Sequence, residues 1–261
     1  MSRDIQQHQQ YKILIIGEAC SDVYVFGDVE RLSPEAPVPV IKSTNTERKE
    51  GMSENVAKNI QAMLPKAIVT KCQNKFDKIK KTRFIDNKSK YQMLRYDTEE
   101  ELIPLKAKDI PDQNYDAIVI SDYNKGYLSN RVITEIFERF NDCRIFVDTK
   151  REDISCFGDC LIKVNEKESS KLKSQNKSTN IITTLGSNGC KYLGEIFSVD
   201  KVDVHDVCGA GDTFLAALVV RWLETKDIYS AIKTANNCAS LSVTKLGCYT
   251  IKRSEYENLR I

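Results

Sequence analysis

Compact apolar runs rich in β-branched residues alternate along this chain with longer stretches whose apolar positions recur at helical spacing. The runs at 11–16 (YKILII), 67–71, 117–121, 144–148, 161–164 and 181–184 are bounded by glycine or polar residues, as strands buried on both faces are. The spacing predicts helices over 53–63, 129–140, 213–223 and 228–244. Residues 82–85 and 91–96 flank Asp86-Asn87-Lys88 and read as a hairpin. Residues 38–42 read as a short extended piece, 196–204 as strand-like, and a return strand is expected from Cys190. Buried strands alternating with helices predict an α/β fold, a doubly wound and mostly parallel sheet flanked by helices. Such sheets bind ligands beyond the carboxyl ends of their strands. Asp22, Asp122, Asp148, Asn165 and Gly186 are therefore the polar residues to inspect.

Composition narrows the function classes. A chain of 261 residues that is 41% hydrophobic suits one large domain over 11–261, with a small appendage. Thirty-nine Lys and Arg against 37 Asp and Glu leave a net charge of +2, which gives no electrostatic ground for nucleic acid or a membrane surface. No apolar run approaches the roughly 20 residues that span a bilayer. Residues 1–10 are polar, lack a signal-peptide core and read as a disordered tail. The nine cysteines are scattered without a CxxC pair, as reduced structural thiols of a cytoplasmic protein are. With only His8 and His205 as imidazoles, a zinc site is not expected.

The segment 206–212 (DVCGAGD) carries the sharpest chemistry. It precedes the apolar run at 213–223, so its glycines fall at a helix N-terminus. There, backbone N–H groups and the helix dipole attract anions. Asp212 at that spot either caps the helix or takes a proton from a hydroxyl while the N–H groups hold a transferring phosphoryl group. There is no G-x-x-x-x-G-K-[ST] and no G-x-G-x-x-G after the first strand, which excludes a P-loop and disfavours a dinucleotide site.

Taken together, the motifs resemble the ribokinase/PfkB carbohydrate kinase family. Residues 206–212 match its D-x-x-G-A-G-D signature, 184–189 (TLGSNG) its nucleotide loop, and 165–168 (NEKE) its N-x-x-E motif. A narrower similarity, to bacterial D-glycero-β-D-manno-heptose-7-phosphate kinases, lies in 31–40 (RLSPEAPVPV), 92–97 (QMLRYD), 121–126 (SDYNKG) and 245–247 (KLG). It runs from about Tyr11 to the C-terminus and covers the kinase half of such proteins, so phosphorylation alone is expected.

The resemblance implies transfer of the ATP γ-phosphate to the anomeric hydroxyl of a heptose 7-phosphate, with Mg²⁺, in lipopolysaccharide or other surface-glycan precursor synthesis. It assigns Asp212 as general base and Gly209, Ala210 and Gly211 as the anion hole. It places Asn165, Thr184, Gly186, Gly189 and Asn236 at ATP, and Asn165 and Glu168 at the metal. Asp22, Gly51 and Asn55 would bind sugar, with Lys81, Arg95 and Lys125 as candidates for the distal phosphate. Segments near 23–43 and 80–97 would form a small β-sheet lid that also serves a homodimer. Ordinary explanations stand beside several assignments: Asp22 as a turn cap, Arg95 and Lys125 as solvated surface charges.

Three departures bear on the acceptor. Gly51-Met52-Ser53-Glu54-Asn55 replaces the family's G-G-A-A-N, and Met52 obstructs the loop if that position needs a positive φ. About thirty residues usual in the family are missing between Lys71 and Lys80, which shortens the sheet edge. Cys208 sits in the anion-hole loop, and Cys248 replaces the threonine of K-L-G-T. Cys208 reads either as a small buried residue or as an oxidation-sensitive thiol. The alternatives to a heptose-phosphate kinase are a kinase of another sugar or sugar phosphate, or a catalytically weak sugar- or nucleotide-binding protein.

Overall fold

The run YKILII becomes β1 (Lys12–Gly17), the centre of a large sheet. A computed structural model describes residues 10–173 and 180–260. The tail expected over 1–10 lies outside them except for Gln10. The described chain divides into two compact units, residues 19–51 with 75–102, and the remainder.

The larger unit holds β1, β4 (Ile68–Gln73), β7 (Ala117–Asp122), β8 (Ile145–Thr149), β9 (Leu161–Asn165), β10 (Asn180–Thr184), β11 (Cys190–Tyr192) and β12 (Glu195–Phe197). They form an eight-stranded sheet in the order β12-β11-β10-β9-β8-β7-β1-β4. Every pair from β4 to β10 is parallel, and the last two pairs are antiparallel. β7 and β8 are buried along their whole length, which is why they carry no apolar–polar alternation.

Helix α1 (Ser53–Met63) matches the expected span residue for residue and buries Val56, Ala57, Ile60 and Met63. In α2 (Asn130–Arg139), the Ser129 hydroxyl caps the start by accepting the Val132 N–H at 3.2 Å. The short α3 (Glu166–Ser169) follows β9 directly. Helix α4 (Ala210–Thr225) is buried almost all round, from Asp212 to Leu223. It packs against α5 (Ile228–Val243) and α1. The final α6 (Arg253–Leu259) buries Tyr256. The core joins β1 and β7 to these helices through Ile13, Ile15, Val119, Phe146, Phe214, Leu218 and Ile232. No described helix is long and apolar enough to cross a membrane.

The strand expected at 196–204 is corrected to the three residues of β12. Residues 198–208 run as loop, because Val199, Val202, Val204 and Val207 line a cavity instead of pairing in the sheet.

The smaller unit is a four-stranded sheet in the order β3-β2-β5-β6. Its strands are β2 (Ala19–Leu32), β3 (Pro39–Met52, whose last residue belongs to the larger unit), β5 (Ile79–Asp86) and β6 (Gln92–Glu99). β2 and β5 run parallel, and β5 and β6 form the expected antiparallel hairpin.

Candidate active site

Helix α4 begins at Gly209, whose φ of 74° is left-handed. Glycine takes that conformation without a Cβ penalty, and the turn leaves the first N–H groups of α4 outside the helical ladder. Asp212 projects from this first turn and is buried. Its Oδ2 accepts the Asn55 side-chain N–H at 3.1 Å, and its Oδ1 accepts the Tyr123 hydroxyl at 2.9 Å. Burial pushes its pKa above the ordinary carboxylate value; the Asn55 bond pulls it back, the Asp148 charge adds to the rise, and Lys163 and Tyr123 oppose it. The Ala210 N–H donates to the Val207 carbonyl at 3.3 Å. A buried carboxylate of raised proton affinity at a helix start can take a proton from a hydroxyl next to a bound anion.

Tyr123 is held there by a carboxylate at the end of β1. Buried Glu18 accepts the N–H groups of Tyr123 (2.8 Å), Lys125 (3.1 Å) and Tyr127 (3.3 Å), so the loop after β7 wraps around it. Burial raises its pKa, Asp122 adds to the rise, and the loop N–H groups oppose it. Asp122 is occupied in its own network, accepting the Asn124 N–H, the Thr149 hydroxyl and the Arg151 guanidinium. It organises loops and is not available to a ligand.

A chain of charges lies on the other side of Gly211. A Cβ built there would stand 2.7 Å from Lys163 Nζ. Lys163 is buried on β9 and donates to Asp148 Oδ2 at 2.6 Å. Lys150 Nζ lies 3.3 Å from Asp148 Oδ1, 2.6 Å from Glu168 Oε1, and over the Tyr123 ring. Burial alone would raise the pKa of Asp148, but Lys163 and Lys150 outweigh it and hold the carboxyl below the ordinary range. Asn165 and Glu168 form a capping box on α3: the Asn165 side chain accepts the Glu168 N–H at 2.9 Å, and Glu168 Oε2 accepts the Asn165 N–H at 2.7 Å. Among the described residues no group of three or more His, Cys, Asp or Glu could hold a metal ion. Each Glu168 oxygen keeps a further lone pair. The oxygens of Glu168 and Asn165 fit a hard, oxygen-preferring ion such as Mg²⁺ only as outer partners, not as a protein cage.

Thr184, Gly186, Gly189 and Asn236 line a cavity of about 330 Å³ that reaches Ala210 and Gly211. Its other walls include Val202, Val207, Phe214 and Ala239, a mostly apolar slot with a few polar groups, the kind of cavity that takes a small molecule. The Asn236 amide donates to the Phe197 carbonyl at 2.9 Å.

The remaining sequence-predicted residues fall in two units. Asn55 meets Asp212, and exposed Lys125 gives its backbone N–H to Glu18. Asp22, Gly51, Lys81 and Arg95 belong to the smaller unit. Asp22 is buried against the Arg83 guanidinium, and Arg95 is ion-paired with Asp97, Nε to Oδ1 at 2.8 Å. A Cβ at Gly51 would lie 2.0 Å from Asp22 Oδ2, so glycine is required by close approach. Gly51→Ala is expected to lower stability by about 1–3 kcal/mol through overpacking, read as a lower urea midpoint; an unchanged midpoint would refute the crowding. Met52, the N-cap of α1, has φ 61°. The position does demand a positive φ, and methionine occupies it at the cost of backbone strain.

Sequence reading passed over Glu18, Tyr123, Lys150, Lys163 and Arg83. Two of them leave a trace: a carboxylate straight after an apolar strand (Glu18) and a lysine inside one (Lys163), both costly unless partnered.

Residues 129–254 match the family model described as pfkB family carbohydrate kinase. The bifunctional protein HldE of Campylobacter curvus is 29% identical over 310 residues, which takes in 96% of this chain and 65% of that protein. HldE of Helicobacter pylori is 32% identical over 297 residues, 90% of this chain and 63% of that protein. The chain thus spans less than two thirds of these relatives. Both alignments are longer than the 261 residues here, so the relatives carry segments this chain lacks. Among solved structures, a ribokinase from Thermotoga maritima superposes with a TM-score of 0.71 at 18% identity, covering 95% of this chain and 99% of that one. Phosphofructokinase-2 from Escherichia coli gives 0.76 at 15% identity, covering 96% and 98%.

Proposed function

The chain carries a pfkB-family carbohydrate kinase domain on a ribokinase-like fold, and from that premise we propose that it transfers the γ-phosphoryl group of ATP to the anomeric hydroxyl of D-glycero-D-manno-heptose 7-phosphate. The product is the 1,7-bisphosphate, a surface-glycan precursor. The observation that carries the reading is Asp212, buried at the first turn of α4 and oriented by Asn55 and Tyr123.

In this reading Asp212 takes the proton of the acceptor hydroxyl. The N–H groups at Gly209, Ala210 and Gly211 stabilise the charge on the transferring phosphoryl group, Ala210 giving up its 3.3 Å bond to the Val207 carbonyl, and such stabilisation is where most catalysis of these transfers lies. Lys163 and Lys150 add positive charge beside the same turn. ATP occupies the cavity lined by Thr184, Gly186, Gly189 and Asn236. Glu168 and Asn165 are the residues that would hold Mg²⁺, which when bound would supply charge neutralisation on the phosphates. The exposed Tyr91, Leu94 and Tyr96 near β6 suit a second copy of the chain as partner.

Tyr123→Phe tests the base. The hydroxyl bond favours the carboxylate form, so its loss raises the Asp212 pKa further, and the ionised fraction at acid pH falls. The acid limb of the pH–rate profile is expected to move upward by about one pH unit, in proportion to a hydrogen bond on a charged group. An unmoved limb would remove Asp212 from the proton transfer.

A second reading keeps the reaction and changes the acceptor. The strained Met52 at the start of α1 favours it. A coupled ADP-release assay over sugars and sugar phosphates separates the two. The heptose 7-phosphate should give the highest kcat/KM; a better unphosphorylated sugar would give the acceptor to the second reading. No ADP release with any acceptor, despite ATP binding, would make the chain a binding protein.

A further inference from the structure

Two cysteines flank the start of α4 and have no part in the chemistry above. Cys208 immediately precedes Gly209, and Cys248 lies in the bend after α5. Their Sγ atoms are 2.9 Å apart. Asp206 clamps the two segments together: its Oδ1 accepts the Cys208 N–H at 2.9 Å and its Oδ2 the Gly247 N–H at 2.9 Å. A Cβ at Gly209 would stand 3.2 Å from the Cys248 Sγ, so Cys248 packs on the left-handed residue that starts α4. Both cysteines are half-buried, within reach of a small oxidant. By contrast, Cys160, Cys190 and Cys238 are buried, and burial pushes their pKa up to about 12, which suppresses the reactive thiolate.

We propose that Cys208 and Cys248 are an oxidative modification site, where a peroxide closes an intramolecular disulfide beside the anion-binding turn and slows phosphoryl transfer. One sulphur attacks a peroxide oxygen; the O–O bond breaks, one water leaves, and a sulfenic acid remains. The second sulphur attacks the first, the S–O bond breaks, and a second water leaves. Two thiols lose two electrons and two protons, and hydrogen peroxide becomes two waters. An approach of about 1 Å brings the sulphurs to the roughly 2.05 Å of a covalent bond. That movement drags the residue next to Gly209, and a displacement of about 1 Å in a positioned group can cost on the order of 10²-fold in rate. Transient disulfides of this kind serve as sensors where thiols are otherwise kept reduced. The rate effect rests on the kinase reading; the cross-link does not.

The test treats wild type and Cys248→Ser with a slight excess of hydrogen peroxide, maps tryptic fragments without reduction, and assays ADP release before and after dithiothreitol. Fragments 202–221 and 246–252 carry the two cysteines. In wild type they should be joined with loss of two hydrogens, and turnover should fall at least tenfold and return on reduction. Cys248→Ser should show neither change. Absence of the joined fragment in wild type, or equal inactivation of Cys248→Ser, overturns the proposal. A joined fragment from protein that never releases ADP overturns the kinase reading and the rate effect, and leaves the cross-link standing.

Discussion

Asp212→Asn is expected to lower turnover by roughly 10²–10⁴-fold, the range contributed by a positioned general base. ATP affinity should stay within a few-fold, because the cavity proposed for the nucleotide is lined by Ala210 and Gly211 of the same turn and not by Asp212. The substitution is conservative in structure. An amide oxygen can still accept from Asn55, and the Tyr123 hydroxyl can turn to accept from the new N–H, so both partners stay satisfied. The stability effect has a definite sign. The folded pKa of Asp212 lies above the unfolded value, chiefly through burial. Its contribution is therefore present at low pH and lost as pH rises through the folded pKa. Above the unfolded pKa the buried carboxyl therefore weakens the fold, and asparagine removes that penalty. The variant should unfold at the same temperature as wild type or higher while it fails to turn over. Residual turnover within tenfold of wild type would refute the base assignment.

Lys163→Met is expected to produce the largest loss of stability. Lys163 and Asp148 are a buried pair at 2.6 Å, with side-chain exposures of 4% and 3%. Removal of one member of such a pair typically costs about 3–5 kcal/mol, because the other charge stays buried. On a chain of this size that lowers the melting temperature by on the order of 10 °C. Lys150 remains near Asp148 at 3.3 Å, which sets the loss below that of a fully orphaned charge. The folded pKa of Asp148 is depressed, so its contribution is present above the unfolded value and lost as pH falls through the folded one. Without Lys163, burial is less opposed, the folded pKa rises, and acid unfolding begins at a higher pH. Adding Asp148→Asn should recover at least half of the loss, a coupling that urea midpoints of the two single variants and the double variant measure. A single variant within about 1 kcal/mol of wild type would show that the pair does not hold the strand ends together.

Much of this site was legible because its residues sit in short contiguous segments. The loop at 206–212 announces a helix start in glycines and an aspartate, and the structure places α4 there. Helix α1 follows from four apolar positions at helical spacing. The central strands follow from apolar runs that only a doubly covered sheet can bury. The long strands of the smaller sheet were hidden for the opposite reason. β3 is mostly exposed over KSTNTERKE, and a strand solvated on both faces leaves no alternation to read. The 196–204 segment misleads because it is rich in β-branched residues, although its valines line a cavity. The polar network around Asp212 was the least legible part. Glu18, Tyr123, Lys150 and Lys163 meet through the parallel register of β1, β7, β8 and β9, a relation that exists only once the sheet is assembled. Met52 is the reverse case: its positive φ was posed as a condition from the sequence, and the backbone meets it.

The proposed reaction moves phosphate from ATP to a sugar hydroxyl with Asp212 as the base. Phosphorus NMR of the protein with ATP, Mg²⁺ and D-glycero-D-manno-heptose 7-phosphate tests it most directly. Wild type should yield ADP and a new anomeric phosphate resonance in equal amounts, and Asp212→Asn should yield neither on the same timescale. ADP formed without a new sugar phosphate, or the same product from both proteins, would contradict the account.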